Sequence, residues 1–262
     1  MVVDKTLIDI VKKISIEAGK IILSHYNDID INSSIEIKSD KSPVTIADKE
    51  SSSYIIKKLL EATPDIPVIS EEENNYSYQQ RKSFDYFWLI DPLDGTKEFI
   101  NKNGEFTTNI ALIHKKKPIF GVVHSPVMNT IYWAAKNQGA FLSENNITKK
   151  INTNNFKFDG SHLRIVVSRS HLDDKTINFL STFKYPVIIK KGSSLKFMQI
   201  AEGKADLYFR FNSISEWDTA ASHIIVEEAG GKIKNILTNK NINYNKKNMK
   251  IPGFIVTGTI KN

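Results

Sequence analysis

Two aspartates separated by two residues, in Asp91-Pro92-Leu93-Asp94-Gly95-Thr96, directly follow the apolar run Phe87-Trp88-Leu89-Ile90. Four apolar residues in a row suit a strand covered on both faces. Pro92 and Gly95 predict a tight bend as soon as that strand ends, which would fix both carboxylates in place. Acids held so close repel one another unless a cation sits between them, and hard divalent ions such as Mg²⁺ favour oxygen ligands of this kind. The Leu93 carbonyl is in position to join them. Gly95 and Thr96 then open a helical turn, whose free N–H groups and dipole favour an anion. A metal site beside an anion hole points to phosphate chemistry. The plain alternative is a surface turn, since Asp-Pro and Asp-Gly are both turn formers. A turn, however, requires neither two acids nor the apolar strand that feeds them.

Other elements must bring partners to this stretch. Pro67-Val68-Ile69-Ser70 reads as a short strand ending in Glu71-Glu72-Glu73. Three adjacent acids suit a solvated loop. If this strand runs parallel to the one ending at Asp91, both ends open on one crevice of the kind where open α/β sheets bind ligands, and Glu71 becomes a ligand candidate. A helix beginning within Ser42–Asp48 and running to Ala62 places Thr45 and Asp48 in a capping box. Ser215-Glu216-Trp217-Asp218 repeats that pattern before a helix to Ala229, stopped by Gly230-Gly231. Capping alone accounts for Asp48 and Asp218.

Apolar residues at helical spacing predict a core helix over Lys5–Tyr26. Strands are expected over Phe106–His114, Lys117–Pro126, Thr130–Ala135 and Gly139–Leu142, as an antiparallel meander. The polar segment Ser143–Gly160 reads as a loop dividing the fold. Beyond it come strand Leu163–Ser168, helix Asp173–Phe183, strand Val187–Lys190, helix Ser194–Glu202 and strand Ala205–Phe211. The Trp217–Ala229 helix and strands at Lys232–Ile236 and Gly253–Ile260 complete the pattern. The expected fold is a layered α+β and α/β sandwich. It forms a single unit over 1–262, with an α+β half (1–145) carrying most metal ligands and an α/β half (160–262) carrying the substrate-recognition residues and Asp218.

The chain has 262 residues, enough for a substantial core, and no cysteine. That excludes disulfides, thiolate metal sites and cysteine nucleophiles, so any metal must take oxygen or imidazole. No apolar run is long enough to cross a membrane, and the N-terminus lacks signal-peptide order; a cytoplasmic protein is expected. The net charge of +7 is spread along the chain, with short clusters at Lys115–Lys117, Lys149-Lys150 and Lys246-Lys247. This suits a field that draws in small anions better than a nucleic-acid surface.

Together these stretches resemble the inositol monophosphatase superfamily of metal-dependent, lithium-sensitive phosphatases. The signature is an acid after a strand, then Asp-Pro-Leu-Asp-Gly-Thr, then Trp217-Asp218 opening a helix that ends in Glu-Ala-Gly-Gly. Within it the chain resembles the bacterial CysQ-type 3′(2′),5′-bisphosphate nucleotidases, through Val167-Ser168-Arg169-Ser170-His171, Gly192-Ser193-Ser194-Leu195-Lys196-Phe197, Ala201 to Tyr208, and Trp217 to Ala221. The resemblance implies the sugar phosphatase fold, with alternating α-β-α-β-α layers. It implies that Glu71, Asp91, the Leu93 carbonyl, Asp94 and Asp218 hold two or three Mg²⁺ ions. Asp48 and Thr96 would orient the attacking water, and Gly95 and Thr96 would offer amides to the phosphate. Ser193, Lys196, Arg210 and His171 would contact the nucleotide or its second phosphate. The implied reaction removes the 3′-phosphate of adenosine 3′,5′-bisphosphate, a by-product of sulfate assimilation. The resemblance also leaves peripheral association with the cytoplasmic face of the inner membrane as an alternative location.

Three rivals stand beside this reading. An inositol-phosphate or sugar-phosphate phosphatase would use the same metal residues. An aspartyl-phosphate phosphatase also places an Asp-Gly-Thr motif after a strand, but with one residue between its aspartates, not two. A non-catalytic nucleotide or nucleic-acid binder would exploit the positive field, yet no aromatic-basic RNA-binding motif is present.

Overall fold

The computed structural model describes residues 3–27, 36–37, 43–73, 76–145, 147–158, 160–170 and 172–261. Its centre is a seven-stranded sheet, in spatial order Val68–Ser70, Tyr86–Asp94, Thr107–His114, Lys117–Ser125, Thr130–Ala135, Gly139–Glu144 and Ile147–Ile151. Val68–Ser70 runs parallel to the central strand, Ser70 opposite Ile90, and every later pairing is antiparallel. The second sheet has five strands, ordered Val187–Lys191, Arg164–Ser168, Leu207–Arg210, Phe254–Thr257 and Lys232–Asn235.

The alternation of the central strand explains how the layers stack. Trp88 and Ile90 pack with Val11, Ile14, Ile55 and Leu59 of helices Lys5–Tyr26 and Ile46–Ala62. Phe87 and Leu89 point the other way, into a core shared with Met198, Ala221 and Ile225 of helices Leu195–Ala201 and Trp217–Glu228. That same core takes Val166, Tyr208 and Val256 from the second sheet. Phe179 and Leu180, in the outermost helix Asp174–Leu180, pack against Val167, Leu207 and Phe209. The result is the expected α-β-α-β-α stack. Burial on both faces is strongly stabilising, since Leu89 and Ile90, at 1% and 0% exposure, each contribute about 1.5–3 kcal/mol relative to exposure. Close layering also needs Gly121, where an added Cβ would come within 2.5 Å of the Ala221 carbonyl oxygen.

Helix Lys5–Tyr26 has the expected bounds and starts on Asp4, whose side chain accepts from the Leu7 N–H at 2.9 Å. Several expectations need correction. The polar Ser143–Gly160 segment is not one loop: Ile147–Ile151 adds an edge strand to the first sheet, and Asn155–Phe156 pairs in parallel with Thr259–Ile260. The edge strand is exposed except at Ile151, so the alternation that marks a half-buried strand never enters its sequence. The central strand does not stop at Ile90 but runs to Asp94, with a register shift between Asp91 and Asp94. Pro92 interrupts the ladder without ending the strand, as it does at bulges. The second helix begins at Ile46, and Pro43–Val44 form a short strand with Glu36–Ile37. The last strand divides at Gly258 into Phe254–Thr257 and Thr259–Ile260, which join different sheets.

Candidate active site

The parallel register delivers the first two acids together. The Glu71 N–H donates to the Ile90 carbonyl at 3.2 Å, so Glu71 leaves its strand beside Asp91. Asp218 arrives from the opposite side, in the first turn of helix Trp217–Glu228, where it accepts from the Ser215 N–H at 3.0 Å. Only half of the expected capping box forms there: the helix is capped at Glu216, and the Ser215 hydroxyl accepts from Lys250 Nζ at 3.0 Å. One carboxylate oxygen from each of Glu71, Asp91 and Asp218 lies within 4.8 Å of the others. Burial pushes the Asp91 carboxyl well above its ordinary range, and Glu71, Asp94 and Asp218 add repulsion. Asp218 is raised by burial and then by Asp94 and Glu71, against the Ser215 N–H and Arg210. An oxygen-only set that repels itself when empty of cations fits a hard divalent metal.

Asp94 lines the same cleft but lies outside that trio. Its Oδ2 accepts from the Ser193 and Ser194 hydroxyls at 2.7 and 2.8 Å, and from Asn109 Nδ2 at 3.4 Å. The Ser193 hydroxyl, expected to meet substrate, is thus turned to Asp94 and to Thr107, 2.5 Å away. Gly95 takes the left-handed φ of +92° and caps the short helix Thr96–Ile100, a geometry that favours glycine. The Thr96 hydroxyl donates to Asp48 Oδ1 at 3.1 Å and approaches the Leu93 carbonyl at 3.4 Å. Asp48 Oδ2 accepts from the N–H and hydroxyl of Thr45, at 2.7 and 2.6 Å. Asp48 therefore holds its helix start with one oxygen and reaches Thr96 with the other.

Lys196 and Arg210 line the cleft from the second half. Lys196 Nζ donates to the Ser193 carbonyl at 2.7 Å and lies 5.8 Å from the Tyr208 ring centre. Burial pulls the Lys196 pKa down, Asp94 opposes that, and Arg210 adds to it. Tyr208, buried and hydrogen-bonded to Arg210, has its phenol pushed above the ordinary range, first by burial. His171 lies outside the described residues. The space between these walls is about 380 Å³.

Sequence reasoning missed Tyr208, Ser194, Thr107 and Asn109. The last two carried a signal: Thr107, Thr108 and Asn109 form a polar run opening an otherwise apolar strand, and all three are at most 1% exposed. Buried polar side chains demand partners, and here Thr107 and Asn109 meet Asp94 and the serine turn, while Thr108 donates to the Pro92 carbonyl.

The model of the inositol monophosphatase family matches residues 4–253. This chain belongs to the inositol monophosphatase family. The 3′(2′),5′-bisphosphate nucleotidase CysQ of Escherichia coli K12 is 42% identical over 221 residues, covering 84% of this chain and 87% of that protein. The CysQ of Buchnera aphidicola is 40% identical over 240 residues, covering 92% and 88%. The crystal structure of CysQ from Bacteroides thetaiotaomicron, described as a bacterial member of the family, superposes with a TM-score of 0.84 at 34% identity, covering 96% of this chain and 97% of that one. Family members are metal-dependent phosphatases, and the Glu71, Asp91, Asp218 cluster occupies the cleft that such chemistry requires.

Proposed function

We propose that the chain is a Mg²⁺-dependent 3′(2′),5′-bisphosphate nucleotidase that removes the 3′-phosphate of adenosine 3′,5′-bisphosphate, giving AMP and phosphate. The observation that carries this reading is one cleft with carboxylates on one wall and Lys196 and Arg210 on the other. A monophosphate needs only the metal wall; a second phosphate gives buried Lys196 and half-buried Arg210 a purpose, and a guanidinium can grip it bidentately. The CysQ names of the relatives support the same substrate.

In this reading Glu71, Asp91, the Leu93 carbonyl, Asp94 and Asp218 hold two or three Mg²⁺ ions. When bound, the cations supply positive charge to the phosphoryl oxygens and acidify the attacking water. Thr96 and Asp48 form the proton path: the Thr96 hydroxyl already donates to Asp48, leaving its lone pairs to accept from the water. General-base help of this kind contributes roughly 10²–10⁴-fold. The N–H groups of Gly95 and Thr96 would hold the phosphate. Asp218, at the positive end of its helix, would anchor the cation that meets the leaving oxygen. His171 would add a contact to the nucleotide, and Ser193 would act on substrate through Asp94. The enzyme would work in the cytoplasm, clearing the nucleotide left by sulfate assimilation. No helix among the described residues is long and apolar enough to cross a membrane.

The deciding experiment measures phosphate release from adenosine 3′,5′-bisphosphate and from inositol 1-phosphate, each with Mg²⁺ and with added Li⁺. The expected result is preference for the nucleotide and inhibition by Li⁺. Faster turnover of inositol 1-phosphate would replace this reading with an inositol monophosphatase.

A further inference from the structure

Two stretches that mark the CysQ resemblance, Ser168-Arg169-Ser170 and Gly192-Ser193-Ser194, contain Arg169 and Gly192, which neither bind metal nor line the cleft. Both converge on one carboxylate from the other half of the molecule. Glu105, 6% exposed, accepts from Arg169 Nε and Nη2 at 2.7 and 2.9 Å, from Lys191 Nζ at 3.1 Å, and from the Gly192 N–H at 2.8 Å. Although burial pushes its pKa up, Arg169, Lys191 and Gly192 together bring it down to about 2, so it is fully ionised near neutrality.

Gly192 leaves no room for a side chain: an added Cβ would stand 2.7 Å from Glu98 Cγ and 2.8 Å from the Glu105 carbonyl oxygen. Its neighbour Ser193 has a left-handed φ of +49°, a conformation that persists in a non-glycine residue only where the surroundings hold it. From that turn the Ser193 and Ser194 hydroxyls both donate to Asp94 Oδ2, and the Ser193 carbonyl holds Lys196 Nζ. The hydrogen bond at Gly192 therefore sits one residue before the groups that aim Asp94.

We propose that Glu105 is a positioning residue for the metal wall: by gripping Gly192 from the first half, it fixes the Ser193-Ser194 turn of the second half, which orients the Asp94 carboxylate. Outer partners of this kind tune metal affinity by about 10–100-fold when removed. The proposal rests on the reading of Asp94 as a metal ligand, and the test separates the two.

Mg²⁺ binding is measured directly by titration calorimetry on the full chain, at a temperature where thermal melting shows each variant folded. Glu105→Gln is expected to weaken Mg²⁺ binding about tenfold, and Ser193→Ala with Ser194→Ala to do the same. Adding Glu105→Gln to the serine double variant should then cause no further loss, because both changes act on one link. Asp206→Asn serves as the structural control. It breaks a partly buried 2.7 Å ion pair to Arg164, away from the cleft, and should leave Mg²⁺ affinity unchanged. Unchanged affinity in Glu105→Gln, or an equal loss in Asp206→Asn, overturns the proposal. If Glu105→Gln does not fold, the serine double variant decides: wild-type affinity there refutes the link. Should Asp94→Asn also bind Mg²⁺ like the wild type, the ligand reading falls and the proposal with it. Loss in Asp94→Asn alone removes only the role given to Glu105.

Discussion

Asp91 and Glu105 both expose little surface, 2% and 6%, yet their surroundings push them in opposite directions. Asp91 meets other acids, Glu71, Asp94 and Asp218, and its carboxyl is forced upward. Glu105 meets Arg169, Lys191 and a backbone N–H, and ends at about 2. The protein supplies its own cations to Glu105, whereas the charges that weigh most on Asp91 are other acids. A buried carboxylate satisfied from within joins the two halves of the fold. One left to repel its neighbours stores an electrostatic demand that an external cation meets, and in a cleft that demand is a functional site.

The comparison is most easily broken at Asp91. Asp91→Asn should lower kcat/KM by roughly 10³ or more, as loss of a charge-stabilising group does, while its melting temperature in chelator stays the same or rises because repulsion is relieved. A clear drop in that melting temperature would mean that the trio holds the fold together as Glu105 does. Metal addition comes next. Saturating Mg²⁺, at about 100 times its Kd, should stabilise the wild type by about 2.7 kcal/mol, read as a rise of roughly 5–10 °C on a thermal melt, and Asp91→Asn should lose most of it.

Glu105→Ala should behave in reverse, costing about 2–3 kcal/mol in urea unfolding with or without metal. That is below the usual toll of breaking a buried pair because Arg169 is 41% exposed. The smallest effect is in the pH dependence. Glu105, with its pKa depressed, contributes stability that is complete above its unfolded value near 4.5 and is lost as pH falls toward 2. Asp91, with its pKa raised, contributes stability below the ordinary carboxylate range and loses it as pH rises above that range when no cation is bound. Melting profiles in chelator should therefore slope up with pH on the acid side, less steeply in Glu105→Gln, and down above the ordinary carboxylate range, less steeply in Asp91→Asn.

Much of this arrangement was legible because it is local. The Phe87–Ile90 run and the acids after it, the stripe of Lys5–Tyr26, and the helix starts at Asp48 and Asp218 all follow from spacing within a few residues. The edge strand Ile147–Ile151 was not legible, since exposure on both faces removes the pattern that marks a strand. Ser193 entered only through the family resemblance, as a substrate contact, and its bond to Asp94 was not legible, because the turn that aims it is met by Glu105, far away in the chain.

The sequence by itself determined which side chains could carry oxygen ligands, where the strands and helices presenting them begin, and that no thiol chemistry is available. These are consequences of residue type and short-range periodicity. Only the tertiary structure decided that Glu71, Asp91 and Asp218 form the tight group while Asp94 is held aside by two serines, and that Glu105 meets cations where Asp91 meets acids. Electrostatic fate depends on which charges meet in space, and contacts between the halves of a fold leave no periodic trace along the chain.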